Sequence, residues 1–373
     1  MKKILRTACL TIVVLFGFVA LTCDEDCPVC PKEPEPVPVE HYRLYAISGL
    51  NPEGLLMSID VPADTVVDSV RVDYNSEGLF VTPDGERLLV LRYLDVAPYN
   101  RVEIYSARDL SLIGNSDRYG AYFFDGGDNY GILQTSDIFF IDPVTLQPID
   151  SILTPAPLGY IGFLDTVTNR FFVPVDLSAG GKVYVIDCIG RTLTDSIFDL
   201  PGGNNVIGLA YNWLTDDLYY FTRLYSGWSQ FIQFDIETDT VLVTIDIVGS
   251  TGGISITPDG KTIFMTDGGN CMLGYVPMIP IWVINSLTNR PIAWIAPFVY
   301  PAGEQLSPCI GGSVVITPDM TRAYLDAPMS AGGTPPIPVI DIKTNQIIKT
   351  IFPQSMAWTH GAAHVALGPV PGN

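Results

Sequence analysis

The sequence predicts an all-β fold built from repeats, and two recurring words and a turn-dense composition carry that prediction. The first word is Thr82-Pro83-Asp84-Gly85, which returns as Thr257-Pro258-Asp259-Gly260 and as Thr317-Pro318-Asp319 with Met320 in the glycine place. Each copy lies between short apolar runs, such as Gly78–Val81 and Arg87–Leu91. Proline presets φ for a turn, Asp bonds its own backbone and Gly accepts positive φ. Each copy therefore predicts a β-hairpin. The 34 glycines and 30 prolines suit many turns, and beyond the N-terminus no window shows helical periodicity.

The second word is an apolar run ending in Ile-Asp or a near variant, then a turn and another apolar run. It occurs at Asp60, Ser106, Asp142, Asp187, Asp235, Asn285 and Asp341, spaced 36 to 56 residues apart. A four-stranded propeller blade takes roughly 40–50 residues, so seven sites predict seven blades. In each blade the Thr-Pro-Asp-Gly place joins strand A to B, and the Ile-Asp place joins C to D. Runs such as Val183-Tyr184-Val185-Ile186 and Phe231-Ile232-Gln233-Phe234 are rich in β-branched and aromatic residues, as strands prefer.

The A strands are expected to start near Gly78, Gly120, Gly159, Asn205, Gly253, Gly312 and Ala362. The last has no B, C or D after it. The first segment, Tyr42 to Val72, has three strands and no A before it. His360–Leu367 is therefore expected to complete Arg43–Ile47, Leu55–Ile59 and Val66–Val72, closing the ring and removing its free edge.

Residues 252–296 and 312–352 resemble the YVTN-type (surface-layer-like, YncE-like) β-propeller repeat. The resemblance rests on the Thr-Pro-Asp-Gly hairpins and on Ile340-Asp341-Ile342-Lys343-Thr344-Asn345 and Ile284-Asn285-Ser286-Leu287-Thr288-Asn289. Phe264-Met265-Thr266-Asp267 stands nearest to the tetrapeptide that names the family. The resemblance implies the propeller fold. It implies no single activity, because propellers host many.

The N-terminus reads as an export signal over residues 1–22: basic Lys2, Lys3 and Arg6, then an apolar Ala8–Leu21 too short for a comfortable span. Ala20-Leu21-Thr22-Cys23 resembles a bacterial lipobox, so Cys23 is expected to carry lipid. Residues 23–41 form a Cys- and Pro-rich acidic tether, and residues 42–373 the propeller. Cys27 and Cys30 lack a second ligand pair and read as a local disulfide or thiols.

The net charge is −20, with 40 acidic and 20 basic residues. That balance opposes nucleic acid and anionic lipid surfaces, so membrane contact is expected only through the anchor. Only 16% of residues are charged. The acidity reflects scarce Lys and Arg rather than dense carboxylates, and reads as solubility.

The sequence offers little chemistry. His360 and His364, four apart on a strand, would lie about 13 Å apart, too far for one metal, and His41 lies in the tether. Asp125-Gly126-Gly127-Asp128-Asn129 and Asp267-Gly268-Gly269-Asn270 read as turns, without the alternating ligands of a calcium loop. No nucleophile, phosphate or dinucleotide motif occurs. No metal, cofactor or catalytic residue is expected.

Loop length is asymmetric. The A–B and C–D turns are expected to be short throughout, and the opposite face to carry insertions at Tyr93–Arg101, Asp176–Gly181, Leu224–Ser229, Thr266–Pro280, Pro297–Gly311 and Ala327–Pro336. Tyr93, Tyr99, Tyr225, Trp228, Asp267, Asn270, Tyr275, Tyr300 and Glu304 are the candidate binding residues there. The first reading is an envelope protein that binds a protein or glycan through this face. The rivals are a propeller enzyme (a lactonase-like hydrolase or a quinone-type oxidoreductase) and a structural envelope element. Cys271 and Cys309 lie on loops of that face and are expected to pair, leaving Cys188 a lone thiol.

Overall fold

The computed structural model describes residues 41–48, 53–73, 76–93, 100–116, 118–124, 130–154, 158, 162–175, 182–197, 200, 206–223, 228–248, 251–267, 281–295, 308–309, 314–325, 329–330, 337–351 and 363–371. They form seven four-stranded antiparallel sheets, each a blade running A-B-C-D from its first strand outward.

Blade 1 is Ser76–Val81, Arg87–Tyr93, Asn100–Ser106 and Leu112–Ser116. Blade 2 is Ala121–Phe124, Gly131–Gln134, Ile138–Ile141 and Pro148–Ile152. Blade 3 is Phe163–Asp165, Arg170–Pro174, Val183–Asp187 and Thr192–Ile197. Blade 4 is Val206–Asn212, Asp217–Arg223, Trp228–Asp235 and Thr240–Val248. Blade 5 is Thr251–Ile256, Thr262–Asp267, Ile281–Asn285 and Arg290–Ile295. Blade 6 is Val314–Ile316, Arg322–Leu325, Ile337–Asp341 and Gln346–Ile351. Blade 7 takes strand A from Ala363–Pro369 and B, C and D from Tyr42–Ser48, Glu53–Asp60 and Thr65–Asp73.

The closure predicted from sequence is therefore present. Tyr42 to Ser48 pairs in unbroken register with Pro369 to Ala363. The core makes the same point. Seven apolar clusters fill seven blade-to-blade seams, and two of them flank the closing blade. Leu44, Ile59 and Val365 pack on Tyr324 and Val339 of blade 6. Tyr45, Leu56 and Val72 pack on Leu88 and Tyr105 of blade 1. Middle strands are sandwiched between neighbouring blades, so they read as continuous apolar runs such as Leu88-Leu89-Val90. Burying each such side chain stabilises by roughly 1.5–3 kcal/mol.

One turn geometry recurs at all seven C–D junctions. The pairing register shifts just before the end of every C strand. Four residues past the Ile-Asp place, Asp64, Leu110, Leu146, Arg191, Asp239, Asn289 and Asn345 all take positive φ, 48° to 57°. The acidic side chain makes this affordable by accepting turn N–H groups. Asp142 bonds Val144 N at 2.9 Å and Thr145 N at 2.6 Å, and Asp341 bonds Thr344 N at 2.7 Å. Asn285 does the same without a charge, bonding Thr288 N at 2.9 Å.

The A–B turns fall into two kinds. In the Thr-Pro-Asp-Gly turns the Thr82 hydroxyl donates to Asp84 Oδ1 at 2.5 Å and accepts from Arg87 N at 3.1 Å. Thr257 repeats this with Asp259 and Thr262, and Thr317 accepts from Arg322 N at 3.0 Å. Gly85 and Gly260 sit at φ 69° and 71°, and Met320 endures 56°. Blades 3 and 4 instead reuse the C–D turn, with Asn169 and Asp216 at positive φ.

Blade 2 corrects the expectation that A–B turns are short throughout. Its A and B strands are joined by residues 125–130 and its B and C strands by only 135–137. The short connection closes because Thr135 N bonds Asp137 O at 2.9 Å and the Thr135 hydroxyl accepts from Asp137 N at 3.2 Å. The Asp125–Asn129 word lies outside the described residues.

Candidate functional site

The two ends of the ring are built differently. At the short-turn end, blades are tied by side chains that start strand B. Arg87 Nη2 donates to Pro143 O at 3.1 Å, and Nη1 to Val144 O, both in the C–D turn of blade 2. Arg322 Nη1 donates to Pro62 O at 3.1 Å and to Val61 O, in the C–D turn of blade 7, and pairs with Asp64 at 3.2 Å. Two residues on, Tyr324 Oη donates to Asp64 Oδ1 at 2.7 Å. Burial, then that bond, raises the Tyr324 hydroxyl above its ordinary pKa. Tyr45 Oη donates to Ala107 O at 3.2 Å in blade 1, and burial pushes its pKa up to about 12.

At the other end, the residues near the close of strand B differ among the blades, polar in blades 1, 2, 4 and 5 and apolar in blades 3 and 6. Arg92, Gln134, Thr222 and Thr266 are all buried there. The Thr266 hydroxyl clamps Gly253, accepting its N–H at 2.7 Å and donating to its carbonyl at 3.1 Å. Strand A is bulged at this end in blades 1, 4 and 5. Bulges re-aim side chains and are common beside binding sites.

Among the described residues, blade 1 holds a charged group at this end. The Glu103 carboxylate receives Tyr105 Oη at 2.8 Å, Arg92 Nη1 at 3.7 Å and Arg101 Nη2. Arg92 is 2% exposed. Two guanidiniums thus meet one buried carboxylate. Sequence reading missed it, although Arg92 precedes the candidate Tyr93 and Arg101 ends the same insertion.

Several sequence candidates are placed by backbone alone. Tyr93 ends strand B of blade 1, Trp228 begins strand C of blade 4 opposite Val248, and Asp267 ends strand B of blade 5 opposite Thr251. They belong to strand ends rather than to insertions. Cys309 lies opposite Met329 in a two-residue ladder joining the blade 5–6 connection to the B–C connection of blade 6. His364 lies opposite Ile47, and the His41 carbonyl accepts Val370 N at 2.8 Å. Tyr99, Tyr225, Asn270, Tyr275, Tyr300, Glu304, Cys271, His360 and Cys23 lie outside the described residues. Cys188 is a buried thiol at the short-turn end, its Sγ 3.8 Å from Ile186 O. Among the described residues, no three His, Cys, Asp or Glu gather as metal ligands, and no helix is long and apolar enough to cross a membrane.

Fold and strand ends together define a seven-bladed β-propeller, an architecture that supports a binding or scaffold role in general. No family model matches this chain, and no curated protein aligns with it.

Proposed function

We propose that this chain is an exported, lipid-anchored propeller of the YVTN type that binds a protein or glycan at a bacterial cell envelope through its long-loop end. One observation carries the reading. Strand B of blade 7 starts, and strand A of blade 7 finishes, at the short-turn end, where Val370 N bonds His41 O. The chain therefore enters the propeller at the short-turn end, opposite the strand ends that carry Tyr93, Trp228 and Asp267.

The division of labour between the ends supports this. The short-turn end repeats one geometry seven times and spends its polar groups on joining blades. The strand ends opposite vary from blade to blade, as a single ligand site requires. Tyr93, Trp228 and Asp267 stand there, and Tyr99, Tyr225, Asn270, Tyr275, Tyr300 and Glu304 belong to the adjoining connections. The hairpin turns at Thr82, Thr257 and Thr317 accord with the YVTN-type resemblance.

Two measurements test the proposal. Intact mass and membrane fractionation of the expressed chain should show diacylglyceryl at Cys23 and lose it in Cys23→Ser. A water-soluble product with an unmodified Cys23 thiol would remove the anchor. Binding of the chain from residue 24 onward to envelope glycans and extracted envelope proteins should fall at least tenfold in Tyr93→Ala with Trp228→Ala. Binding unchanged in that variant but lost on altering Val144 and Ile189 of the short-turn end would reverse the assignment of faces.

A further inference from the structure

We infer that the outer groove between blades 4 and 5 docks a basic protein segment through an apolar anchor. The argument comes from one strand position compared around the ring. Three residues before the Ile-Asp place, each C strand lies opposite a D-strand residue on the rim. In six blades that residue is Ser69, Asn115, Ser151, Ser196, Thr244 or Thr350. In blade 5 it is Trp294, opposite Trp282. Trp294 is 63% exposed, while Trp282 is partly buried against the seam with blade 4. Hydroxyls and amides suit a wet rim. An indole in their place leaves a large apolar surface in water, which marks an interaction site.

The opposite wall of the groove departs from the ring in the same sense. One residue nearer the turn, each D strand stands on the side of the following blade. At the other seams this residue is Asp68, Gly114, Asp150, Asp195, Ala293 or Lys349. Blade 4 has Val243 there, two residues from Ile245, which packs into the seam. Residues two apart share a strand face, so Val243, Ile245, Trp282 and Trp294 line one apolar groove. The exposed aliphatics at the strand D bulges do not distinguish this seam, because Val67, Ile113, Ile149 and Ile348 repeat Leu242 and Ile292.

Charge selects the occupant. Blade 4 has no lysine, and among its described side chains there is no base. Glu237 and Asp239 stand exposed in the C–D turn at the short-turn mouth of the groove, and Asp246 is exposed farther along the same D strand. The facing strand carries one base, Arg290. A segment with lysine or arginine beside an aromatic or large aliphatic anchor therefore meets complementary charge and an apolar floor. A second copy of this chain would bring further acid, since the net charge is −20. A glycan would find no hydroxyl or amide at the four lining positions.

The test uses the full chain and, as the probe, a fluorescein-labelled peptide of Lys-Leu-Phe-Lys repeated three times. It should bind in the micromolar range at low salt. Counterparts with Glu for Lys, or with Ser for Leu and Phe, should not bind. Trp294→Ser, which installs the residue of blades 2, 3 and 7, should weaken binding at least tenfold and move the unfolding temperature by no more than about 2 °C. Trp294→Phe should keep most of the binding. Glu237→Lys with Asp239→Lys should weaken it at least threefold and flatten its salt dependence. Acrylamide quenching of tryptophan emission gives a readout that needs no variant: the bound peptide should reduce it. Binding unchanged in Trp294→Ser overturns the inference. So does binding of cellohexaose that depends on Trp294, or self-association in sedimentation velocity that Trp294→Ser removes, because the occupant would then be a glycan or a second copy. Peptide binding lost in Tyr93→Ala with Trp228→Ala but retained in Trp294→Ser would move the peptide to the long-loop end. That outcome overturns the rim site and leaves the proposed envelope function standing.

Discussion

Seams 6/7 and 4/5 are built on the same strand positions and hold their blades by different means. At 6/7, Arg322 and Tyr324 reach across to Val61, Pro62 and Asp64, and Lys349 Nζ adds a bond to Ala63 O at 2.6 Å. At 4/5 the same two positions hold Asp217 and Tyr219. The direct ties there come from the A–B turn instead, with Asn212 Nδ2 on Gly260 O at 2.8 Å and Trp213 Nε1 on Pro258 O at 3.2 Å. The apolar filling is similar in kind at both. Packing alone thus defines neighbouring blades, while the polar latch varies by seam. The seam that closes the ring has the densest direct latch of the two.

The most severe break of this comparison is removal of residues 360–373. It deletes strand A of blade 7 and exposes the edge of Tyr42–Ser48. Cooperative unfolding should be lost or shifted down by well over 10 °C in differential scanning calorimetry, because repeat arrays depend on each neighbour interface. Unfolding at the wild-type temperature would sink the closure.

A smaller break at the same seam is Arg322→Ala. It leaves Asp64, whose side chain is 6% exposed, without its ion partner. Urea unfolding should show a loss of about 2–4 kcal/mol.

The two tyrosines sharpen the contrast. Tyr324→Phe should cost about 1–2 kcal/mol by removing one of the two side-chain partners of buried Asp64. Tyr219→Phe should cost less, under about 1 kcal/mol, because its hydroxyl bonds to Thr215, Asn212 and Asp217 of its own blade. Equal losses for the two would show that the seams are equivalent after all.

Met320→Gly beside Arg322 should stabilise by about 0.5–1 kcal/mol. Methionine at φ 56° bears a strain that Gly85 and Gly260 avoid in the same turn.

The smallest effect concerns acid. The Thr145 N–H and hydroxyl hold Asp142 below its ordinary value of 3.8, and the Thr344 hydroxyl and N–H do so for Asp341. A lowered folded pKa gives stability that is present above the unfolded value and lost as pH falls through the folded one. Asp142→Asn with Asp341→Asn should leave neutral-pH stability nearly unchanged, since Asn285 makes the same turn. It should also flatten the decline below pH 3.8 in acid titrations of unfolding.

Much of the architecture was legible because repeats make local signals redundant. The Thr-Pro-Asp-Gly and Ile-Asp words specify turns whose bonds close within five residues, so they marked the blades and the split seventh blade correctly. Blade 2 departed because its turn chemistry is reversed: Thr135 and Asp137 close a B–C connection that no repeated word announced. The arginines at 43, 87, 170 and 322 were visible as letters, but their partners lie in the next blade. The place of Trp294 became informative only when strand register aligned it with Ser151, Thr244 and Thr350.

By itself the sequence determined the all-β class, the number of blades and the closing strand, since turn chemistry and alternation are local and were repeated seven times. It also determined the acidic balance of the chain. Tertiary structure alone decided which side chains cross each seam, as Arg322 and Tyr324 do to reach Val61 and Asp64. Those contacts join residues far apart in the chain, and no local pattern encodes the distance between them.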